Sequence, residues 1–244
     1  MKSRDQFSVL APTAILGYGF PEKSFTNGIN RNPDLIAVDG GSTDPGPYYL
    51  GRGVSFTNRI GVKRDLRIII KEGINRKIPV VVGTAGGCGA KPHLLWCRDI
   101  VIDLAEELNL SIRLGLIFSD IQKDMVIDAF SNGNIISPAE VPKLTYNDIV
   151  DSTYLVAQMG LEPVMEAHKY QCDVILCGRA YDPSAFAALP VLQGFDPGLA
   201  LHMGKILECA AIAAHPGSGS DSVLGILEKD SFRLETLNEA RRFT

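Results

Sequence analysis

Along the chain, short apolar runs alternate with longer amphipathic stretches. The runs "DLIAVD" (34–39), "IPVVVGT" (78–84), "SIRLGLIFS" (111–119) and "CDVILCG" (172–178) are rich in aliphatic and β-branched residues, so each predicts a strand. The unbroken run at 78–84 suits a strand covered on both faces, as in a parallel sheet. Between these runs, residues 56–77 place Ile60, Val62, Leu66, Ile69 and Ile70 at near-helical spacing, and 93–109 and 160–171 also read as helices. Strands alternating with helices imply βαβ units with right-handed crossovers. The expected fold class is therefore α/β: a largely parallel sheet flanked by helices, in Rossmann- or flavodoxin-like layering. A polar stretch rich in Asn, Ser and Pro at 130–150 is the candidate subdomain junction. Residues 1–196 form the expected α/β domain. From 197 the texture changes to a helix over 197–214 containing Ala210, Ala211, Ala213 and Ala214, a Gly/Ser loop, and two strand-like runs in "SVLGILEKDSFRLETL" that can pair as a hairpin. Residues 197–244 thus either begin a small C-terminal lobe or complete the first domain.

Open parallel sheets bind ligands at the carboxyl ends of their strands. Three loops leave apolar runs: "DGGSTDPGPYYLG" (39–51), "GTAGGCGAKPHL" (83–94) and "GRAYDPSAFA" (178–187). If their strands are parallel, all three open on one edge. In the first, Asp39 and Asp44 suit a general base or oxygen ligands for Mg²⁺, or else they cap turns; Tyr48 and Tyr49 can wall a pocket. In the second, Gly86, Gly87 and Gly89 either leave amides free to cradle an anion at a helix N-terminus or make a tight packing turn, and Lys91 can pair with a carboxylate or phosphate. No Walker A or strict GxGxxG motif is present, which disfavours a nucleotide-dependent enzyme. In the third, Arg179 can clamp a carboxylate through its planar fork. Asp182 either faces a ligand or caps a helix beginning at Pro183. His202 is a candidate base further along, with Lys205 three residues from both it and Glu208.

Composition removes several alternatives. A net charge of −4 and a pI near 5.6, with no dense basic run, argue against nucleic-acid and anionic-membrane partners. No apolar run is long enough for a membrane span, and the N-terminal apolar stretch is broken by Pro12 and Gly17, unlike a signal-peptide core. The five cysteines form no CxxC pair and the four histidines no HxxxH pair, so neither a disulfide framework nor a dedicated zinc site is indicated. A reducing, cytoplasmic setting follows.

The segments "DGGSTDPGPYYLG", "GTAGGCGA", "GRAYDPSAFAALPVLQGFDPGLALHMGKILECAA" and "HPGSGSDSVLGILEKDSFRLETLNEARRFT" resemble the acyclic terpene utilisation (AtuA-like) family from about residue 34 onward, most specifically over 178–209. The resemblance implies a cytoplasmic bacterial catabolic protein encoded beside enzymes that degrade terpenoid or other branched carboxylates, and it supplies no catalytic residues. Related chains continue past "NEARRFT", so the end at Thr244 implies a shortened form or a remaining part on a separate chain. The expected function is an enzyme acting on an organic acid or acyl-CoA by lyase or hydratase chemistry. Asp44 or Asp39 would be base or metal ligand, Arg179 the clamp and 86–89 the oxyanion or phosphate cradle. The alternative is a non-catalytic or partner-dependent subunit of a degradation complex. Expected partners are a small carboxylate or acyl-CoA, and either further copies of the chain or a second small subunit; beyond Mg²⁺, no cofactor is indicated.

Overall fold

The structure, a computed structural model, describes residues 5–41, 47–137 and 140–244. The chain begins with β1 (Gln6–Ala11), α1 (Glu22–Ile29), β2 (Leu35–Asp39) and α2 (Pro47–Arg52). It continues through α3 (Arg59–Arg76), β3 (Val80–Gly83), α4 (Lys91–Glu107) and β4 (Leu114–Ile117). Two helices, α5 (Lys123–Ser131) and α6 (Tyr146–Asp151), make an excursion before α7 (Glu162–Lys169) and β5 (Val174–Cys177). Then come α8 (Ser184–Leu192), α9 (Pro197–Leu207), a 3₁₀ turn (Ala210–Ala213), β6 (Val223–Glu228) and β7 (Phe232–Thr236).

The strands form one seven-stranded sheet in the order β4-β5-β3-β2-β1-β6-β7. The first five run parallel; β6 pairs antiparallel with β1, and β7 with β6. The fold is therefore α/β with a mostly parallel sheet flanked by helices. Side-chain alternation along the strands divides the core into two layers. Ile36 and Val38 of β2 pack with Phe25, Leu66, Ile69 and Leu94 of α1, α3 and α4. Leu35 and Ala37 face the other way, where Phe186, Met203 and Leu207 of α8 and α9 cover them. Burial on both faces explains why Leu35 to Val38 are all apolar rather than alternating.

Local signals set the helix ends. The Asn58 side chain accepts from the Ile60 amide at 2.8 Å to start α3, which stops where Lys77 turns left-handed at φ 57°. Asp196 accepts from the Leu199 amide at 2.8 Å and Pro197 opens α9. The expected helix over 197–214 is broken: α9 ends at Leu207, Ala210 sits at φ 47°, and the chain tightens into the 3₁₀ turn. That break leaves Glu208 and Cys209 at the helix end rather than on its side. β1, which the sequence pattern did not single out, lies between β2 and β6. Among the described residues no helix is long and apolar enough to cross a membrane.

Two groups, the buried Asp221 and the half-buried His168, tie stability to acid pH. Burial alone would raise the Asp221 carboxyl, but hydrogen bonds from Arg241, Ser24, Asn238 and the Ser222 amide outweigh it, so its pKa is depressed. The stability it supplies is present above its unfolded pKa and is lost as pH falls through the lower folded one. His168 on α7 behaves differently: burial pushes its pKa down to about 4. Between its unfolded value near 6.5 and that folded value, the unfolded chain binds more protons, so stability falls as pH drops, by at most about 1.4 kcal/mol per unit. Urea unfolding at pH 7 and pH 5 should show His168→Gln losing measurably less stability than wild type on acidification. Equal losses in the two proteins would exclude His168 as the acid-sensitive group.

Candidate functional site

The parallel strands β1, β2, β3 and β5 all end on one edge of the sheet, and a cleft of about 310 Å³ opens there. A larger groove of about 390 Å³ beside β7 is lined by Asn27, Arg31 and Arg241 and shares none of its lining residues with this cleft. Asp39, the last residue of β2 and in register with Gly83 of β3, forms part of the cleft. It is only 2% exposed. Burial pushes its carboxyl well above the usual carboxylate range; the Gly41 amide, donating at 3.3 Å, opposes this, as does Arg179, while the charges of Asp182 and Glu208 add to it.

Arg179 lies two residues beyond β5 and is 8% exposed. Its backbone amide donates to Ser119 Oγ at 2.7 Å. Its Nη1 donates to Thr84 Oγ1 at 3.1 Å and to the Ala180 carbonyl at 2.9 Å. Asp182 Oδ1 lies 3.5 Å from the same nitrogen, while Asp182 Oδ2 accepts from Lys205 Nζ at 2.7 Å. Lys205 also donates to Glu208 Oε1 at 2.9 Å, and that oxygen accepts from Cys209 Sγ at 3.1 Å. Burial alone would lower the Lys205 pKa, but the bonds and charges of Asp182 and Glu208 outweigh it and raise it, so Lys205 remains an ammonium. Burial, then the hydrogen bond to Glu208, pushes the Cys209 thiol up to about 12, so it stays protonated at neutral pH. The cleft thus holds two fixed cations, two carboxylates bridged by one of them, and a carboxyl that favours its proton.

Of the residues expected from sequence, Asp39, Arg179 and Asp182 meet in the cleft. Asp44 lies outside the described residues, and with it part of the donor set expected for Mg²⁺. Among the described residues no three His, Cys, Asp or Glu side chains form a group that can hold a metal ion. Asp182 is not a helix cap: Pro183 occupies that position without a side-chain bond, and the carboxylate turns to Lys205 instead. His202 is exposed and lies edge-on against Phe232 of β7 with ring centroids 5.1 Å apart, so the structure does not bring it to the cleft.

The second loop is filled by its own chain. A Cβ at Gly86 would meet the His93 carbonyl at 2.2 Å, one at Gly87 the Phe56 ring at 3.0 Å, and one at Gly89 the Arg179 amide nitrogen at 2.1 Å. All three glycines have positive φ, from 73° to 102°, so conformation and space both require glycine. The first amide of α4, on Lys91, already donates to Asp120 Oδ1 at 3.0 Å, and the Lys91 side chain is exposed. These contacts give the three glycines a packing role in the turn. Sequence reasoning did not reach Thr84 and Ser119, which bond Arg179 from 95 and 60 residues away. Lys205 and Glu208 were visible as a pair three apart, but only the fold carries them to Asp182.

No curated protein and no solved structure matches the chain. A family model described as "Acyclic terpene utilisation family protein AtuA" matches residues 60–217. The matched region holds the glycine turn after β3 and the cleft residues Arg179, Asp182, Lys205 and Glu208; Asp39 precedes it. The match spans well over half of the 244 residues, and the chain belongs to the acyclic terpene utilisation (AtuA) family.

Proposed function

We propose that the cleft binds a small organic acid, free or as a thioester, and moves a proton beside its carbonyl group, chemistry of the lyase or hydratase class. One observation carries this reading: a buried carboxyl, Asp39, whose pKa burial pushes up, shares a small cleft with the cations Arg179 and Lys205. Among the described residues, both hydrogen bonds of the Arg179 guanidinium leave from Nη1. The Nη2–Nε edge has no protein acceptor there, and that edge of the planar fork suits a carboxylate. Proton transfer is most efficient when the pKa of the group lies near the working pH, and burial moves Asp39 in that direction. At about 310 Å³ the cleft is at the small end of ligand pockets, enough for the acyl part of a thioester.

A thermal-shift panel of free branched carboxylates, acyl-CoA thioesters and matched neutral amides tests the reading. A ligand at about 100 times its Kd should stabilise by roughly 2.7 kcal/mol. The acids or thioesters are expected to shift the protein, the amides not, and Arg179→Ala should abolish the shift. A flat panel with folded protein would overturn the proposal.

The alternative of a partner-dependent subunit is favoured by the excursion between β4 and α7, where Met125, Ile136 and Tyr146 are 64%, 90% and 51% exposed. Light scattering on the purified chain, alone and with the products of neighbouring genes, tests it: a lone monomer in every mixture sets it aside.

A further inference from the structure

We infer that Thr84 is a positioning residue that sets the Arg179 guanidinium in the cleft, and that its unfavourable backbone conformation is kept for that role. The inference rests on the reading of Arg179 as a carboxylate clamp. Thr84 follows β3 directly, is fully buried, and has φ +41°. A β-branched residue is rare in that region, where glycine is at ease. Glycine stands at Gly83, Gly86 and Gly87 of the same turn, yet this position carries threonine. Its hydroxyl accounts for the choice. Thr84 Oγ1 accepts from Arg179 Nη1 at 3.1 Å and from the Ala180 amide at 3.3 Å, and lies 3.3 Å from the Ala180 carbonyl, to which it can donate. Nη1 donates to that same carbonyl at 2.9 Å, closing a small ring of bonds around one nitrogen.

The other candidate anchor is weaker: Asp182 Oδ1 is 3.5 Å from Nη1 and makes no hydrogen bond. Ser119 fixes the Arg179 backbone and Thr84 the far end of its side chain. A long, rotamer-rich side chain held at both ends has less freedom to lose when a ligand arrives, and Nη2 and Nε are left for it.

The test is nuclear magnetic resonance of the Arg179 Nε–Hε group, assigned by its loss in Arg179→Ala, during titration with acetate and with acetamide as neutral control. Wild type should give an ordered signal that moves with acetate only. Thr84→Ser keeps the hydroxyl and should match it. Thr84→Val should broaden the signal and weaken acetate about tenfold, yet change acetate affinity less than about twofold in an Arg179→Ala background. An unaltered signal and affinity in Thr84→Val overturn the inference. Should Thr84→Val not fold, Thr84→Ser decides alone, and a tenfold loss there overturns it. An ordered, Thr84-dependent signal that ignores acetate keeps the positioning role and overturns the carboxylate reading instead.

Discussion

Gly89→Ala is expected to destabilise the protein by roughly 3 kcal/mol or more. Two costs combine. At φ +75° any L side chain pays about 1–2 kcal/mol for a left-handed backbone. The new methyl would also lie 2.1 Å from the Arg179 nitrogen and 2.5 Å from the Gly178 carbonyl carbon, both backbone atoms at the end of β5. Relief requires moving the strand end, and overpacking of this kind costs about 1–3 kcal/mol. Gly194→Ala is the internal control: its φ is +96° but nothing lies within 4 Å of the added Cβ, so only the backbone cost of about 1–2 kcal/mol remains. Urea unfolding of the two variants separates the terms. Equal losses would mean that the turn after β3 is open rather than packed.

Those glycines show where sequence reasoning stops. The pattern of 83–94 admits both a cradle and a packing turn, because glycine serves each through the same torsional freedom. What distinguishes them is the identity of the atoms that fill the Cβ space, here His93, Phe56 and Arg179, and that is a long-range property. The strands β2, β3, β4 and β5 were legible because each is a short apolar run with punctuation at its ends, and the β6–β7 hairpin because Lys229, Asp230 and Ser231 supply a polar turn between such runs. β1 was not, since its six residues run on into a longer apolar stretch interrupted by Pro12, without punctuation at the strand's end. Asp39, Arg179 and Asp182 were legible in position because each follows a strand that topology points at one edge. The partners of Asp182 were not: its nearest sequence feature, Pro183, argues for a helix cap, whereas Lys205 reaches it only because α9 folds back on α8. His202 fails for a related reason. A helix places a titratable side chain according to its face, and this one meets Phe232 instead of the cleft.

Asp39→Asn is expected to lower turnover by about 10²–10⁴-fold once a substrate is in hand, without weakening the fold at neutral pH. The sign follows from proton linkage. In the unfolded chain Asp39 ionises near pH 3.9, whereas burial holds the folded carboxyl well above that. Over that interval Asp39 binds more protons in the folded state, so its contribution to stability declines as pH rises, by up to about 1.4 kcal/mol per unit. Asparagine has no proton to lose, and its side-chain oxygen can still accept from the Gly41 amide, 3.3 Å away in wild type. The variant should therefore match wild type in urea unfolding at pH 4 and exceed it at pH 8, the difference growing until the pH passes the folded pKa of Asp39. That combination, inactive yet more stable in alkali, marks a group whose ionisation is retained for chemistry at the expense of stability. An inactive variant less stable at every pH would make Asp39 a structural acceptor for the Gly41 turn. A variant with wild-type turnover would remove Asp39 from the mechanism and leave Asp44, on the same loop, as the acid or base to replace next.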